Sequence, residues 1–413
     1  MNTASSSKAL WSTKSAIFYI ASFLNSFSSG IIGPLFIIYL LSINFNPAQI
    51  GILLAIERLS IIIFEVPTGI FADKYGRKMS LLVSFFLIAL VLIVWFFSTS
   101  FYILLILAVV WGFAYTFQSG AKESLMIDSL DLEKNDKKRN RVFTRLSVFG
   151  SIGFLFGGLL SALLAFYFLR SIWLAAGFLN ILLFVLYFFF TNENRQIKFD
   201  SLKAKNKIKG MINLTKDNIK FVFERKIIIS FLAITMILGL ATSIYGLSYP
   251  ILFKQVLNIP NYYFGFLGAL SALVGIIGAL LGEKLTKKKG YFFTMSCFPL
   301  TLFILFLFFG FSITFWLGLI LFALIELMIN GWYPIFQSFF NKFIPNKIRS
   351  GILSINSTVS LLAIAVGELL AGFLLTIISP SNLIAWSGLI FILIPVLLFV
   401  IKRPLTKQEV GKI

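Results

Sequence analysis

The chain has no histidine and one cysteine, Cys297, in 413 residues. Without histidine, His-containing zinc sites, Ser-His triads and histidine proton relays are excluded. A lone cysteine leaves no intramolecular disulfide. Charge is scarce too: charged residues make up 13% of the chain, against roughly 25% in a soluble domain. Acids are the scarcer sign, 16 against 36 bases, for a net charge of +20. No nucleophile–base set, phosphate loop or metal cluster is visible, so no enzyme activity, cofactor or metal is expected.

What is present is hydrocarbon. Hydrophobic residues make up 59% of the chain, 49 of them Phe, and the mean hydropathy is +0.94. So few charges cannot cover a water-facing surface, so the solvent is lipid. Lipid admits only helices or closed barrels, because every backbone polar group must be satisfied internally. The apolar runs are long enough for helices, not alternating strands. Twelve spans are predicted, near 15–42, 49–71, 79–98, 101–127, 143–168, 171–191, 227–253, 262–283, 291–311, 313–340, 350–378 and 383–401. The first run is too long for a signal-peptide core and reads as a retained span.

The basic residues sort by side. Lys8, Lys14, Lys74, Arg77, Lys78, the 129–142 cluster, the 192–226 segment, Lys284, Lys287 to Lys289, Lys342, Lys347, Arg349 and the tail fall on one side, with Arg170 and Lys254 on the other. The positive-inside rule puts both termini in the cytoplasm. The net charge then reads as a belt facing an anionic leaflet, not a nucleic-acid surface.

The halves echo each other. Phe117-Gln118-Ser119 recurs as Phe336-Gln337-Ser338, and Gly157 before Gly158-Leu159-Leu160 matches Gly367 before Glu368-Leu369-Leu370. This predicts an all-α polytopic protein built as two six-helix bundles in parallel repeat, 1–191 and 227–413. A basic cytoplasmic linker, 192–226, joins them.

The sharpest motif is Gly69-Ile-Phe-Ala-Asp73-Lys74-Tyr-Gly76-Arg77-Lys78. Gly69 permits close helix approach, Gly76 a sharp turn, and Asp73, Arg77 and Lys78 place both signs of charge at a helix junction. A degraded copy runs from Gly282 to Lys289, with Thr286 where Asp73 stood. The motif resembles the loop between helices two and three of major facilitator superfamily (MFS) transporters. That resemblance implies a conformational latch: Arg77 paired with Asp128, and Asp73 capping the helix that starts near Ser350 to Ser354. Residues 119–130 resemble the span-four ending of bacterial MFS exporters. Gly153-Phe154-Leu-Phe-Gly157-Gly158 resembles the antiporter signature of drug exporters, with Phe154 in the proline position. Ala108 lies near the place of an arginine common in proton-coupled members. The family plan also implies that helices 3, 6, 9 and 12 lie outside a substrate cavity.

Ionisable residues within spans are costly and need a reason. Glu57, Arg58, Glu65, Lys122, Glu123, Arg145, Glu326 and Glu368 are the candidates. Glu326, Asn330 and Gln337 share one helix face, near Trp332 and Tyr333. Gln118 marks the corresponding stretch of the first half, and Trp111 and Tyr115 are aromatic cavity candidates. Glu326 and Glu368 suit proton coupling or a cationic substrate, or else glue between helices. The Glu57, Arg58, Lys122 and Glu123 group reads equally as a charge network or a substrate contact. The resulting expectation is a monomeric alternating-access transporter of a bacterial cell membrane, exporting small hydrophobic or cationic compounds against protons. The alternative is uptake of a nutrient or metabolite, with an anionic substrate met by Arg58, Lys122 or Arg145.

Overall fold

Proline and glycine decide where the apolar runs bend. The computed structural model describes residues 13–132, 136–193, 218, 220–345 and 348–399. The first run divides into α1 (Thr13–Ile32), a 3-10 turn at Gly33–Leu35 and α2 (Phe36–Ser42). Pro34 forces the division, having no N–H for the helical ladder. Helix α3 (Pro47–Tyr75) stops at Gly76, whose φ of 99° suits only glycine, and α4 (Arg77–Phe97) follows.

The fourth run, expected as one helix, is interrupted. After α5 (Phe101–Thr116), Gly120 turns left-handed with φ 67°, and a new helix, α6 (Ala121–Ser129), begins. Helix α7 (Asp136–Phe168) starts at Asp136 rather than 143 and so shortens the charged loop. Asp136 sits in its first turn, where an acid suits the helix dipole, and pairs with Arg139 at 2.7 Å. Helix α8 (Ser171–Phe190) completes this part. Then follow α9 (Lys226–Ile251), a π-turn at Leu252–Val256, α10 (Tyr263–Lys289), α11 (Tyr291–Gly310), α12 (Phe315–Lys342), α13 (Arg349–Leu374) and α14 (Pro380–Ile390).

Among the described residues, eleven helical stretches are long and apolar enough to cross a membrane. Helix α3 is not among them; it has 29 residues and carries Glu57, Arg58, Glu65, Asp73 and Lys74. Most of the predicted 192–226 linker, both extreme termini and Lys347 lie outside the described residues.

The chain forms two compact units. The first comprises Met1–Phe45, Leu59–Phe199 and Pro260–Ala272; the second comprises Asn46–Arg58, Asp200–Ile259 and Leu273–Ile413. The boundaries thus fall within α3 and within α10. In the first unit, α1 packs on α7 and α8, and α4 on α5 and α8. In the second, α9 packs on α13 and α14, and α11 on α12 and α14.

Small residues set these contacts, because lipid offers helices no hydrophobic drive toward one another. Where α1 crosses α7, a Cβ on Gly157 would lie 2.8 Å from the Cα of Gly30. Where α9 crosses α13, a Cβ on Gly239 would lie 2.9 Å from that of Ala363. Hydrogen bonds fasten α1 to α8 and α9 to α13. Asn180 donates to Ser28 Oγ at 3.0 Å, and Thr235 Oγ1 to Asn356 Oδ1 at 2.7 Å. Rings fill the remaining space: Trp95 stacks on Trp173 at 4.9 Å, and Trp332 on Phe336 at 4.8 Å.

A valine at 157 would wedge this crossing. Gly157→Val is expected to cost about 1–3 kcal/mol or more and to lower the thermal unfolding midpoint in detergent. Gly246→Ala, whose new methyl meets nothing within 4 Å, should leave that midpoint unchanged. Equal midpoints for the two variants would show that the crossing tolerates a side chain.

Candidate functional site

The break at Gly120 turns the start of α6 into a cavity wall. Lys122, in the first turn of α6, donates to Asn25 Oδ1 of α1 at 3.0 Å. Its ammonium also lies 5.4 Å from the centre of the Phe85 ring, within cation–π range. The cavity measures about 540 Å3 and lies wholly in the first unit. Hydroxyls of Ser22 and Ser26 and rings of Phe18, Phe154 and Tyr187 line it further, and Glu123 reaches it from an exposed position.

The turn between α3 and α4 is tied to its neighbours. Arg77 forms an ion pair with Asp128 of α6. Lys78 Nζ donates to the carbonyls of Phe188 at 2.8 Å and Thr191 at 2.6 Å. Glu193 accepts the backbone N–H groups of Arg77 at 3.0 Å and Lys78 at 2.9 Å. Its carboxylate therefore occupies the N-terminus of α4, where free donors and the helix dipole favour an anion. Asp73 and Gly69 are exposed on α3, and a Cβ on Gly69 would meet nothing within 4 Å.

The second unit holds a denser charge cluster. Arg58 NH1 lies 3.3 Å from Glu57 Oε1, and its Nε lies 3.6 Å from Glu368 Oε1 on α13. Glu368 is 6% exposed, and its Oε2 is buried with no hydrogen-bond partner among the described residues. The start of α3 reaches α13 because both carry glycine where they meet. A Cβ on Gly51 would lie 2.5 Å from the carbonyl oxygen of Glu368 and 3.0 Å from the Cα of Gly372.

On α12, Asn330 donates to the Glu326 carbonyl at 2.8 Å and to its Oε2 at 3.3 Å. Glu326 also acts electrostatically on Tyr245 and Tyr249 of α9, whose rings stack at 5.1 Å. Gln337 donates to the hydroxyl of the exposed Tyr333 at 3.1 Å. Trp332 is 1% exposed, and its indole N–H donates to the Met295 carbonyl at 3.1 Å. Gln118 is likewise buried, donating to Ser84 Oγ at 2.8 Å. Trp111 joins the Trp95 and Trp173 ring cluster, while Tyr115 is exposed. Gly153 and Gly157 press on α1, and Gly158 presses on α10.

The structure thus brings Arg58 to Glu57 and Glu368, and takes Lys122 to Asn25 rather than to an acid of α3. Three features are not marked as functional in the sequence. Glu193 falls in the predicted 192–226 linker, where nothing in the sequence singles it out. Gly120 is one of two glycines in the run 101–127, with Gly112, yet it is the one that breaks the helix. Gly290, with φ 85° before α11, matches Gly76 before α4 and lies just past the degraded motif copy. Its position directly after the lysine run was the available signal.

A polytopic helical chain with charged side chains set within its apolar runs, one of them lining a cavity, has the features of a membrane transporter. A family model described as Major Facilitator Superfamily matches residues 18–367, and the chain belongs to that family. It is therefore a multi-pass membrane transporter of small molecules, not an enzyme. An uncharacterised MFS-type transporter of Bacillus subtilis (strain 168), YxaM, is 29% identical over 405 residues, 94% of this chain and 95% of that one. Among solved structures, the nucleoside transporter NupG matches with a TM-score of 0.72 at 15% identity, covering 95% of this chain and 98% of that one. A bacterial homologue of the human lysosomal transporter Spinster, inward-facing and occupied, matches with a TM-score of 0.75 at 12% identity, covering 95% and 97%. At such identities the likeness is one of fold.

The carboxylate at the start of α4 has a measurable consequence. Glu193→Ala should cost about 1 kcal/mol, the usual worth of an N-terminal cap, read as a lower unfolding midpoint. Glu193→Gln, which still accepts one hydrogen bond, should fall between. A midpoint unmoved by the alanine variant would show that the cap contributes nothing.

Proposed function

We propose that this protein is a proton-coupled, alternating-access exporter of small amphipathic molecules in the cell membrane. The observation that carries the coupling is charge imbalance. Among the described residues, Glu57 and Glu368 share the guanidinium of Arg58, and one Glu368 oxygen is buried with no hydrogen-bond partner. An unbalanced carboxylate at membrane depth is costly, and one proton makes the cluster neutral. That proton weakens the hold of Glu368 on Arg58 and so loosens the start of α3 from α13. Its loss restores the pair. Glu326, beside its tyrosine pair, is a second carboxylate available for the same work.

The remaining parts take roles in switching. Helix α3 is the twelfth span, both termini are cytoplasmic, and the halves 1–191 and 227–413 form the parallel repeat. The recurring helix pairs of the two units support that repeat. Gly69, Asp73, Gly76, Arg77, Lys78 and Asp128 form the latch, which must open for the transport cycle to proceed. Export rather than uptake is supported by Gly153, Gly157 and Gly158, which sit at close helix crossings in an antiporter-like pattern.

Purified protein in proteoliposomes, given a panel of aromatic dyes and metabolites with and without an imposed pH gradient, tests this reading. Transport should follow the gradient, and Glu368→Gln should reduce it to the level seen without one. Transport indifferent to the gradient in the unaltered protein would remove proton coupling from the proposal.

A further inference from the structure

Lys122 is a cation whose surroundings do not neutralise it. At this depth a lysine is costly unless something balances its charge. Its polar partner here is the neutral amide oxygen of Asn25, which uses one of its three donors. Among the described residues it makes no ion pair. Glu123, its neighbour in sequence, is exposed and forms none with it. The Phe85 ring face steadies the ammonium without cancelling its charge.

The surrounding geometry continues the point. Because the chain breaks at Gly120, Lys122 sits in the first turn of a fresh helix, α6, where the helix dipole adds positive potential. Interrupted helices at membrane depth offer their ends to ions and charged substrates. The cavity in front is about 540 Å3, within the usual range for small-molecule sites. Its other walls are aromatic rings, serine hydroxyls and aliphatic side chains, with the exposed Glu123 among them, and they suit a flat apolar body with polar substituents.

We infer that the cavity of the first unit binds a small organic anion, its charged head on Lys122 and its flat apolar body between the rings of Phe18, Phe154 and Tyr187. This inference rests on the transporter reading above and names its substrate class. Asn25 is a positioning residue: it holds the ammonium at the cavity wall and does not itself meet the charge. A cationic cargo, the expectation drawn from Glu326 and Glu368, would bring like charge to Lys122. An anionic lipid reaching in from the bilayer shares the chemistry of an anion on an apolar body and must be told apart from a soluble substrate.

Equilibrium binding of three probes of one shape tests the assignment: 2-naphthoate, 2-naphthamide and 2-naphthylmethylammonium. Each is titrated calorimetrically into protein held in neutral phosphatidylcholine nanodiscs without any gradient. Naphthoate should bind at least about tenfold more tightly than the other two. Lys122→Met should weaken naphthoate about ten- to a hundredfold, as loss of a charge-assisted hydrogen bond does. Lys122→Arg should retain binding, and Asn25→Ala should weaken it by less than Lys122→Met. The arginine variant guards against mistaking misfolding for lost recognition.

Tightest binding of the ammonium probe overturns the assignment. So does naphthoate binding unaltered by Lys122→Met, or no naphthoate binding by the unaltered protein. If phosphatidylglycerol added to the nanodiscs blocks naphthoate fully, the site belongs to lipid and the substrate assignment falls. The proton reading fails separately: it falls if proteoliposome transport ignores the gradient, whatever these titrations give.

Discussion

Close approach of helix backbones in a solvent that does not press helices together is the constraint on which this molecule depends. Lipid tails are as apolar as leucine, so contact must come from dispersion, hydrogen bonds and matched shape. Glycine at the crossings supplies the shape. Gly157 and Gly30 let α7 meet α1, and that meeting helps enclose the cavity bordered by Asn25 and Lys122. Gly51 and Gly372 let the start of α3 meet α13, and that meeting delivers Arg58 to Glu368. The charged groups are where they are because small residues nearby allowed it.

Each of these charges is then answered differently. Arg58 has more carboxylate than it needs, Lys122 has an amide and a ring face, and Glu193 has two backbone N–H groups. The first answer underlies the proton site proposed above, the second the anion site, and the third fixes a turn. The Arg77 and Asp128 pair, beside that turn, is exposed enough to be worth little by itself. A contact this weak is compatible with the latch proposed for it.

Much of the fold was legible. Composition decided for lipid, run length decided for helices, and Pro34 and Gly76 lay at turns that their chemistry demands. Site residues were legible only as types. Glu368, Arg58 and Lys122 were conspicuous as charges in apolar runs, but their partners were not. Asn25 is a polar residue in the first span, and nothing in the sequence links it to Lys122, 97 positions away. Gly120 was one glycine among 29, and only the left-handed turn it adopts shows that the fourth run breaks there.

The sequence by itself determined the solvent, the helical class, the family and the inventory of buried charge. Lipid imposes its demand on each residue separately, so each residue testifies to it alone. The tertiary structure decided which charge meets which. A single residue turns a helix face by about 100°, and partners lie on helices far apart in the chain. Whether Lys122 faces an acid or an amide therefore depends on helix rotation and depth, which the packing of glycine against backbone settles.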